Sequence, residues 1–550
     1  MFYKGIIFDL DNTLYDYDVC HQAALSKVFD FLVQMCKSVN LEHIKGIYED
    51  ISKTLKYDLG FTASSHNKSI YFKHLLEKLN IGLSAFLTIN NIYWETFYSN
   101  MVCFEGVLDF IVFNKNLGKK MGVLTDYETE YQIKKLDQLG ILKYIDVIVT
   151  SEEVGIEKPS SQMFTSVLQK MNLGPHEVIM VGDNYERDFK GGSRAKIRSY
   201  WFHKDNHEFT SFVDLHAKFT AMQNDLVVFK QISKYCGERF DLVQAGGGNT
   251  SVKVNELMFI KASGYNLTNI DESNGYVVVN NKILLEDIHN NSVKAVNEYN
   301  FIGNQRGSIE TFMHSILKKY TIHLHPIQIN RILITSCAKQ VIEKICPSAL
   351  IIDYVTPGIK VCDKIKEVYD DQNVIFLLNH GIIITHDSIA EIYNILDDVL
   401  VRFETYQQLN LGKYKGTNTT SKAVNNAFNV SNVSYLCQDE VINKYFIENM
   451  ELFKQNITMP DVLIYCGVKC LFGIDNVTEY KNIFLEAPKI IIEKGSIYIN
   501  SHSLTKCREI EEVLRSNLII LDSTLDKVYL DSDEICFLNN WDAEKYRKLL

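Results

Sequence analysis

Along residues 1 to about 205, short apolar runs that end on acidic or small polar residues alternate with amphipathic stretches. Gly5 to Phe8 is a continuous apolar run leading into Asp9-Leu-Asp11-Asn-Thr13, the pattern of a buried parallel strand whose functional groups stand at its carboxyl end. Met121-Gly-Val-Leu-Thr125 and Val178-Ile-Met-Val-Gly-Asp183 repeat that pattern, and Arg194 to His203 reads as the turn into a last strand. Between the first two runs, Leu25, Val28, Phe29, Leu32, Met35 and Cys36 fall on one stripe of an amphipathic helix. Beyond a polar stretch, with residues 206–220 read as a linker, a helix is predicted from about Met222 to Cys236. Met258-Phe-Ile-Lys, Gly275-Tyr-Val-Val-Val-Asn and Val374-Ile-Phe-Leu-Leu read as strands, and strands and helices alternate to about Tyr406. Gly412 to Ser434, rich in Asn, Thr, Ser and Lys, predicts a loop. Pro460 to Gly467 predicts a strand, Lys489 to Asn500 a hairpin turning at Glu493-Lys-Gly-Ser, and the region around Lys506 to Arg515 a helix.

Length and composition narrow this picture. A chain of 550 residues exceeds one ordinary core and predicts two or three domains. With 46% hydrophobic and 23% charged residues it reads as globular. A formal net charge of -11 excludes a broadly basic face and hence a nucleic-acid partner, while leaving room for phosphorylated small molecules in pockets set by local amides, Lys and metal ions. No apolar run reaches the length of a membrane span, and Met-Phe-Tyr-Lys-Gly leads at once into a strand, so a cytoplasmic location is expected. The twelve cysteines lack framework spacing and read as free thiols; Cys466-Gly-Val-Lys-Cys470 has no second pair to complete a metal site.

Candidate chemistry gathers at two places. In the first, two aspartates at i and i+2 after a strand, Asp9 and Asp11, can be aimed at one centre, one as a nucleophile and one as a proton-transfer group. Thr125 adds a hydroxyl at a strand end, Lys158-Pro159 a cation, and Asp183-Asn-Tyr-Glu-Arg-Asp188 carboxylates suited to Mg²⁺. In this order the set resembles the haloacid dehalogenase-like hydrolases. The resemblance implies a Rossmann-like domain over 1–205 with a helical cap at about 15–118. It implies Asp9 as the nucleophile, Asp11 as general acid/base, and Thr125 and Lys158 on the phosphoryl oxygens. Mg²⁺ would lie on Asp9, Asp183 and the backbone carbonyl of Asp11, with Asp188 in support. Because dehalogenating members lack the second carboxylate, Asp11 favours a phosphatase, with a phosphomutase as the other possibility.

In the second, His323 and His325 stand at i and i+2 on a strand and share a face, so both imidazoles can reach one ion. His380, in the turn Asn-His-Gly after an apolar strand, is the candidate third ligand, and three histidines with an open position describe a catalytic zinc. Glu310 would be the acid/base group beside it; a structural His-x-His and a solvated first-turn glutamate are the competing readings. Gly246-Gly-Gly-Asn249-Thr-Ser, Lys261-Ala-Ser263-Gly264, Ser308-Ile-Glu310-Thr, His323-x-His325-Pro and Asn-His380-Gly together resemble the class II aldolase/adducin family, in its rhamnulose-phosphate-aldolase-like branch. The resemblance implies an α/β/α sandwich over 221–410 and an α+β extension over 411–550. It implies Zn²⁺ on His323, His325 and His380, Glu310 moving the proton at carbon, and Asn249, Ser263, Gly264 and Ser308 lining a phosphate or polyol pocket. Where well-known members carry a second serine before the glutamate, this chain has Ile309. The ending Asn-Asn-Trp-Asp-Ala-Glu-Lys-Tyr-Arg resembles the same branch, and family relatives are commonly tetramers, so a homo-oligomer is expected.

The expectation is therefore an α/β chain carrying a Mg²⁺ phosphatase for a small phosphorylated metabolite and a zinc lyase for a sugar or sugar phosphate. The alternatives for the second domain are an epimerase, a dehydratase or a non-catalytic adducin-like binding module.

Overall fold

Four-to-six-residue apolar runs with no polar alternation can be buried on both faces only inside a helix-covered parallel sheet, and the first unit is built that way. The computed structural model describes residues 3–35, 39–202, 210–271, 274–302 and 305–540. It divides into one unit of residues 1–224 with 300–304 and a second of 225–299 with 305–550. In the first, β1 (Gly5–Phe8), β2 (Lys120–Thr125), β3 (Val147–Thr150), β4 (Val178–Gly182) and β5 (Arg198–Trp201) form a parallel sheet in the order β3-β2-β1-β4-β5. The order makes β1 central, so Asp9 leaves the middle of the sheet with Thr125 and Asp183 at the ends of its two neighbours. Helices α1 (Tyr17–Met35), α2 (Leu41–Leu59), α3 (Lys68–Lys78) and α4 (Phe86–Ser99) form the insertion, joined by buried aromatic contacts such as Phe72 on Tyr93 and Phe29 on Tyr48. In α1, Val28, Phe29 and Leu32 are buried, Leu25 is half-buried, Met35 is exposed, and Cys36 lies outside the described residues. The cap is shorter than the expected 15–118, because α5 (Val107–Asn116) packs on the sheet: Phe110 meets Phe8 edge-on and Tyr3 donates to Asn114 Oδ1 at 2.6 Å.

In the second unit, β6 (Asn249–Val254), β7 (Leu257–Lys261) and β8 (Tyr276–Asn280) run antiparallel, and β9 (Asn300–Ile302) groups with the first unit. With β10 (Tyr320–Leu324), β11 (Leu350–Ile352), β12 (Val374–Leu377) and β13 (Gly381–His386) the order is β11-β12-β13-β10-β6-β7-β8. Side chains such as Met258, Ile260, Leu377 and Ile383 from this sheet pack with Leu284, Phe312 and Ile365 from the helices on one face. A further sheet, β14 (Val433–Leu436), β17 (Ser496–Ser501), β16 (Ile490–Glu493) and β15 (Leu471–Phe472), has its own core with the helix Leu504–Leu521. The β16–β17 hairpin turns at Lys494 and Gly495, both with positive φ, where it was expected.

Three expectations need correction. Residues 206–209 of the expected linker lie outside the described residues, and 212–220 belong to the helix Phe212–Gly237; Phe212, Leu215 and Phe219 recur at helical spacing and are buried. The unit boundary falls between Asn224 and Asp225, inside that helix. Gly412–Phe428 is a helix, not a loop. Its buried face mixes Tyr414 and Val424 with Thr417, Thr420 and Ser421; the Thr417 hydroxyl donates to Tyr414 O at 2.6 Å and that of Thr420 to Gly416 O at 3.0 Å, so the two threonines satisfy themselves on the helix backbone. Pro460–Cys466 is a helix as well, with proline at its first turn, where the missing N–H costs nothing. The ending from Trp541 lies outside the described residues.

Ile499 is fully buried in the C-terminal core. Ile499→Ala is expected to cost about 2–5 kcal/mol and to lower the melting temperature of one calorimetric transition.

Candidate active sites

The loop after β1 places Asp9 in a buried position where Lys158 Nζ donates to its Oδ1 at 2.5 Å and the Thr13 hydroxyl to its Oδ2 at 2.9 Å. The same ammonium donates to Asp188 Oδ1 at 2.8 Å. Asp183 follows β4, with its backbone N–H donating to Thr13 Oγ1 at 3.0 Å. Asp188 approaches so closely that a Cβ on Gly182 would stand 2.5 Å from its Cγ, which is why the strand ends in glycine. Carboxylate oxygens of Asp9, Asp183 and Asp188 lie within 4.8 Å of one another. One lysine does not balance three such groups. Burial and the charge of Asp9 push Asp183 up to about 7, and burial with the negative neighbours Asp188 and Asp11 pushes Asp9 up as well. A donor set of carboxylates with surplus negative charge fits a hard divalent cation such as Mg²⁺. The groups line a cavity of about 240 Å³, walled on the cap side by Tyr17, His66 and Trp94.

Asp11 faces the same cavity, and Thr125 is the last residue of β2. Gln132 Nε2 donates to Thr125 Oγ1 at 2.5 Å and to Asp11 Oδ2 at 3.3 Å. Asp11 is further held by the Tyr15 hydroxyl at 2.5 Å and by Lys135 Nζ at 2.8 and 2.9 Å from its two oxygens. Sequence reasoning missed Lys135 and Gln132. The available signal was a polar pair at i and i+3 on the buried side of the helix Thr129–Gln138.

In the second unit, the antiparallel register sets Asn249 of β6 opposite His323 of β10. The His323 and His325 Nε2 atoms are 3.2 Å apart, and those of His323 and His380 are 3.3 Å apart. Glu310 Oε1 lies 3.4 Å from both His323 Nε2 and His380 Nε2. Ligands at about 2.0–2.1 Å on a tetrahedral ion stand about 3.3–3.4 Å from one another, so the histidine spacings fit one zinc-sized cation, with Glu310 beside two of the three ligands. His323 Nδ1 lies 3.1 Å from Ile382 O, a contact that fixes its tautomer and turns the Nε2 lone pair to the centre. Burial pushes His323 down to about 3, which keeps that lone pair free of a proton. A Cβ on Gly381 would meet Leu324 O at 2.3 Å and the His325 ring at 2.8 Å, so glycine after His380 lets the turn close on the other two histidines.

Of the expected pocket residues, the structure brings Asn249 and Ser308 to Glu310: Asn249 Nδ2 donates to its Oε2, and Ser308 Oγ accepts from its backbone N–H at 3.3 Å. Ser263 and Gly264 stand on an exposed turn, and the Lys261 ammonium ties that turn to the glycine-rich loop through Tyr265 O and Gly246 O. His314, unassigned from sequence, is buried beside Ser251, 2.7 Å from Nδ1 to the hydroxyl. Among the described residues, the two groups with metal-ligand geometry are these histidines and the three aspartates; Cys466 and Cys470 belong to neither. No described helix is long and apolar enough to cross a membrane.

Comparison with known proteins agrees with this division. Residues 6–202 match the family model for haloacid dehalogenase-like hydrolases, and residues 231–406 that for the class II aldolase and adducin N-terminal domain. The first segment is 32% identical over 201 residues to a ribulose-1,5-bisphosphate 5-phosphatase of Halopiger xanaduensis, covering 36% of this chain and 84% of that protein. It is 25% identical to a glyceraldehyde 3-phosphate phosphatase of Methanopyrus kandleri, covering 35% of this chain and 80% of that protein. Among solved structures, a class II aldolase domain from Thermoplasma acidophilum aligns at 26% identity and TM-score 0.31, over 33% of this chain and 93% of its own.

With a folded-state pKa above its unfolded value, Asp183 contributes stability that is present at low pH and lost as pH rises from about 4 to about 7. In chelator, the melting temperature of the parent protein is therefore expected to fall across that window more than that of Asp183→Asn. Added Mg²⁺ should remove the difference, and scanning calorimetry at a series of pH values measures it.

Proposed function

Because residues 6–202 belong to the haloacid dehalogenase-like hydrolases and residues 231–406 to the class II aldolase and adducin family, we propose that this chain is a bifunctional enzyme, a Mg²⁺-dependent phosphatase joined to a zinc-dependent lyase of sugars or sugar phosphates. One observation carries the proposal. In each unit, residues far apart in sequence converge on a single cation-sized centre: Asp9, Asp183 and Asp188 in one, His323, His325 and His380 in the other.

In the first unit, Asp9 attacks the phosphorus of a monoester. The bond to the leaving oxygen breaks while Asp11 hands that oxygen a proton, and an aspartyl-phosphate remains. Water then attacks phosphorus and gives a proton to Asp11, and the bond to Asp9 breaks, releasing inorganic phosphate. Lys158 and Thr125 hold the phosphoryl oxygens. Asp9, Asp183 and the Asp11 carbonyl would hold Mg²⁺, supported by Asp188, and the ion supplies neutralisation of phosphoryl charge. The names of the relatives point to a small phosphorylated sugar as the substrate class.

In the second unit, His323, His325 and His380 would hold zinc, which supplies Lewis-acid polarisation of a carbonyl. Glu310, oriented by Asn249 and Ser308, moves the proton at carbon. An epimerase or dehydratase uses the same set, since each also needs a proton moved beside a polarised oxygen.

The test is metal analysis of the purified protein together with phosphate release and product NMR on ketose phosphates. The His323→Ala/His325→Ala variant is expected to lose about one zinc per chain and its carbon–carbon cleavage, while phosphatase activity persists. Asp9→Asn is expected to lower phosphate release about a thousandfold or more, with zinc retained. A parent protein without zinc under chelator-free preparation would sink the lyase; cleavage-free isomer products would turn the reading to the epimerase.

A further inference from the structure

Lys135 sits where a lysine rarely goes. It is 1% exposed on the helix Thr129–Gln138, between the cap and the end of β2. Its ammonium lies 5.1 Å from the ring of Tyr17 and 5.4 Å from that of Phe97 on cap helices, and 5.2 Å from that of Tyr127. Such faces attract a cation but do not replace its lost hydration. The direct contacts to a counter-charge are to Asp11, at 2.8 and 2.9 Å from its two oxygens. Both oxygens of one carboxylate on one ammonium set the rotation of the carboxyl plane as well as its location. Tyr15 and Gln132 bond the same carboxylate at 2.5 and 3.3 Å, so Asp11 is held from three directions while it lines the cavity beside Asp9.

We propose that Lys135, caged by aromatic rings of the cap and held to both oxygens of Asp11, is the positioning residue that aims Asp11 at the leaving oxygen of the substrate. The inference rests on the phosphatase reading of the first unit. It makes Lys135 part of the chemistry without touching phosphorus. It also ties the aim of Asp11 to the cap, because Tyr17 and Phe97 form the wall against which the ammonium is pressed.

Leaving-group dependence separates aiming from general support. An alkoxide leaves only if protonated, whereas p-nitrophenolate leaves without a proton, so a fault in Asp11 placement falls on alkyl esters. A fault in folding or phosphoryl binding falls on both. The value of kcat/KM, which reports steps up to phosphorylation of Asp9, is to be measured with Mg²⁺ on glycerol 3-phosphate and p-nitrophenyl phosphate. Lys135→Met is expected to lower the alkyl-to-aryl ratio about 100-fold, Asp11→Asn to lower it similarly, and the double variant to lower it no further. Lys135→Arg, which keeps a cation with a bidentate donor, should recover part of the ratio. Tyr15→Phe removes a second holder of Asp11 and should move the ratio the same way to a smaller extent; it decides the matter if Lys135→Met does not fold. An equal loss on both esters overturns the proposal. Hydrolysis of neither ester by the parent protein overturns the phosphatase reading on which it rests.

Discussion

Groups of like charge, or with like lone pairs, repel when crowded, and a fold that crowds them must either supply a counter-charge or leave a place for one. Both units of this chain do so. The oxygens of Asp9, Asp183 and Asp188 approach within 4.8 Å with Lys158 as the shared partner, and burial raises the proton affinity of Asp9 and Asp183. His323 Nε2 stands 3.2 Å from that of His325 and 3.3 Å from that of His380, too close for neutral imidazoles that share no proton or ion. The rest of each site follows from satisfying that constraint: Thr13 fixes Asp9, the Ile382 carbonyl fixes His323, and Asn249 holds Glu310 beside the histidines.

The two units reach this arrangement by different backbone devices. A parallel sheet brings three carboxyl ends side by side, so residues at the ends of β1, β2 and β4 meet without any one loop being long. An antiparallel sheet instead uses register. β10 carries His323, pairs with β6 to set Asn249 across from it, and pairs with β13 so that the turn before β13 returns His380. Glycines close both arrangements where a Cβ cannot fit, at Gly182 against Asp188 and at Gly381 against Leu324 and His325.

Residues with distinctive local chemistry were readable along the chain. Asp9 and Asp11 after an apolar run, the His-x-His of a strand and the Asn-His-Gly turn each announce themselves, since strand burial and side-chain alternation are local properties. The helix Gly412–Phe428 was not readable: Thr417, Thr420 and Ser421 on its buried face have a loop's composition, and the hydroxyls of Thr417 and Thr420 are satisfied only once the helix exists. Pro460–Cys466 misled in the opposite sense, since a run of Val, Leu and Ile satisfies strand and helix alike and only the position of Pro460 tells them apart.

The list of chemical groups and the division into two α/β segments were thus set by local pattern, because apolar periodicity and acidic strand ends act within a few residues of themselves. Their partnerships were not. Lys135 lies 124 residues from the Asp11 it binds, and Glu310 61 residues from the Asn249 that orients it. No spacing rule links such pairs, and a buried lysine in a helix looks like any surface lysine until its neighbours arrive. Ser263 and Gly264, named by motif, stand on an exposed turn. Whether a polar side chain is buried and aimed, or solvated and idle, depends on which distant strands close around it, and that is decided by packing rather than by the residue or its neighbours in sequence.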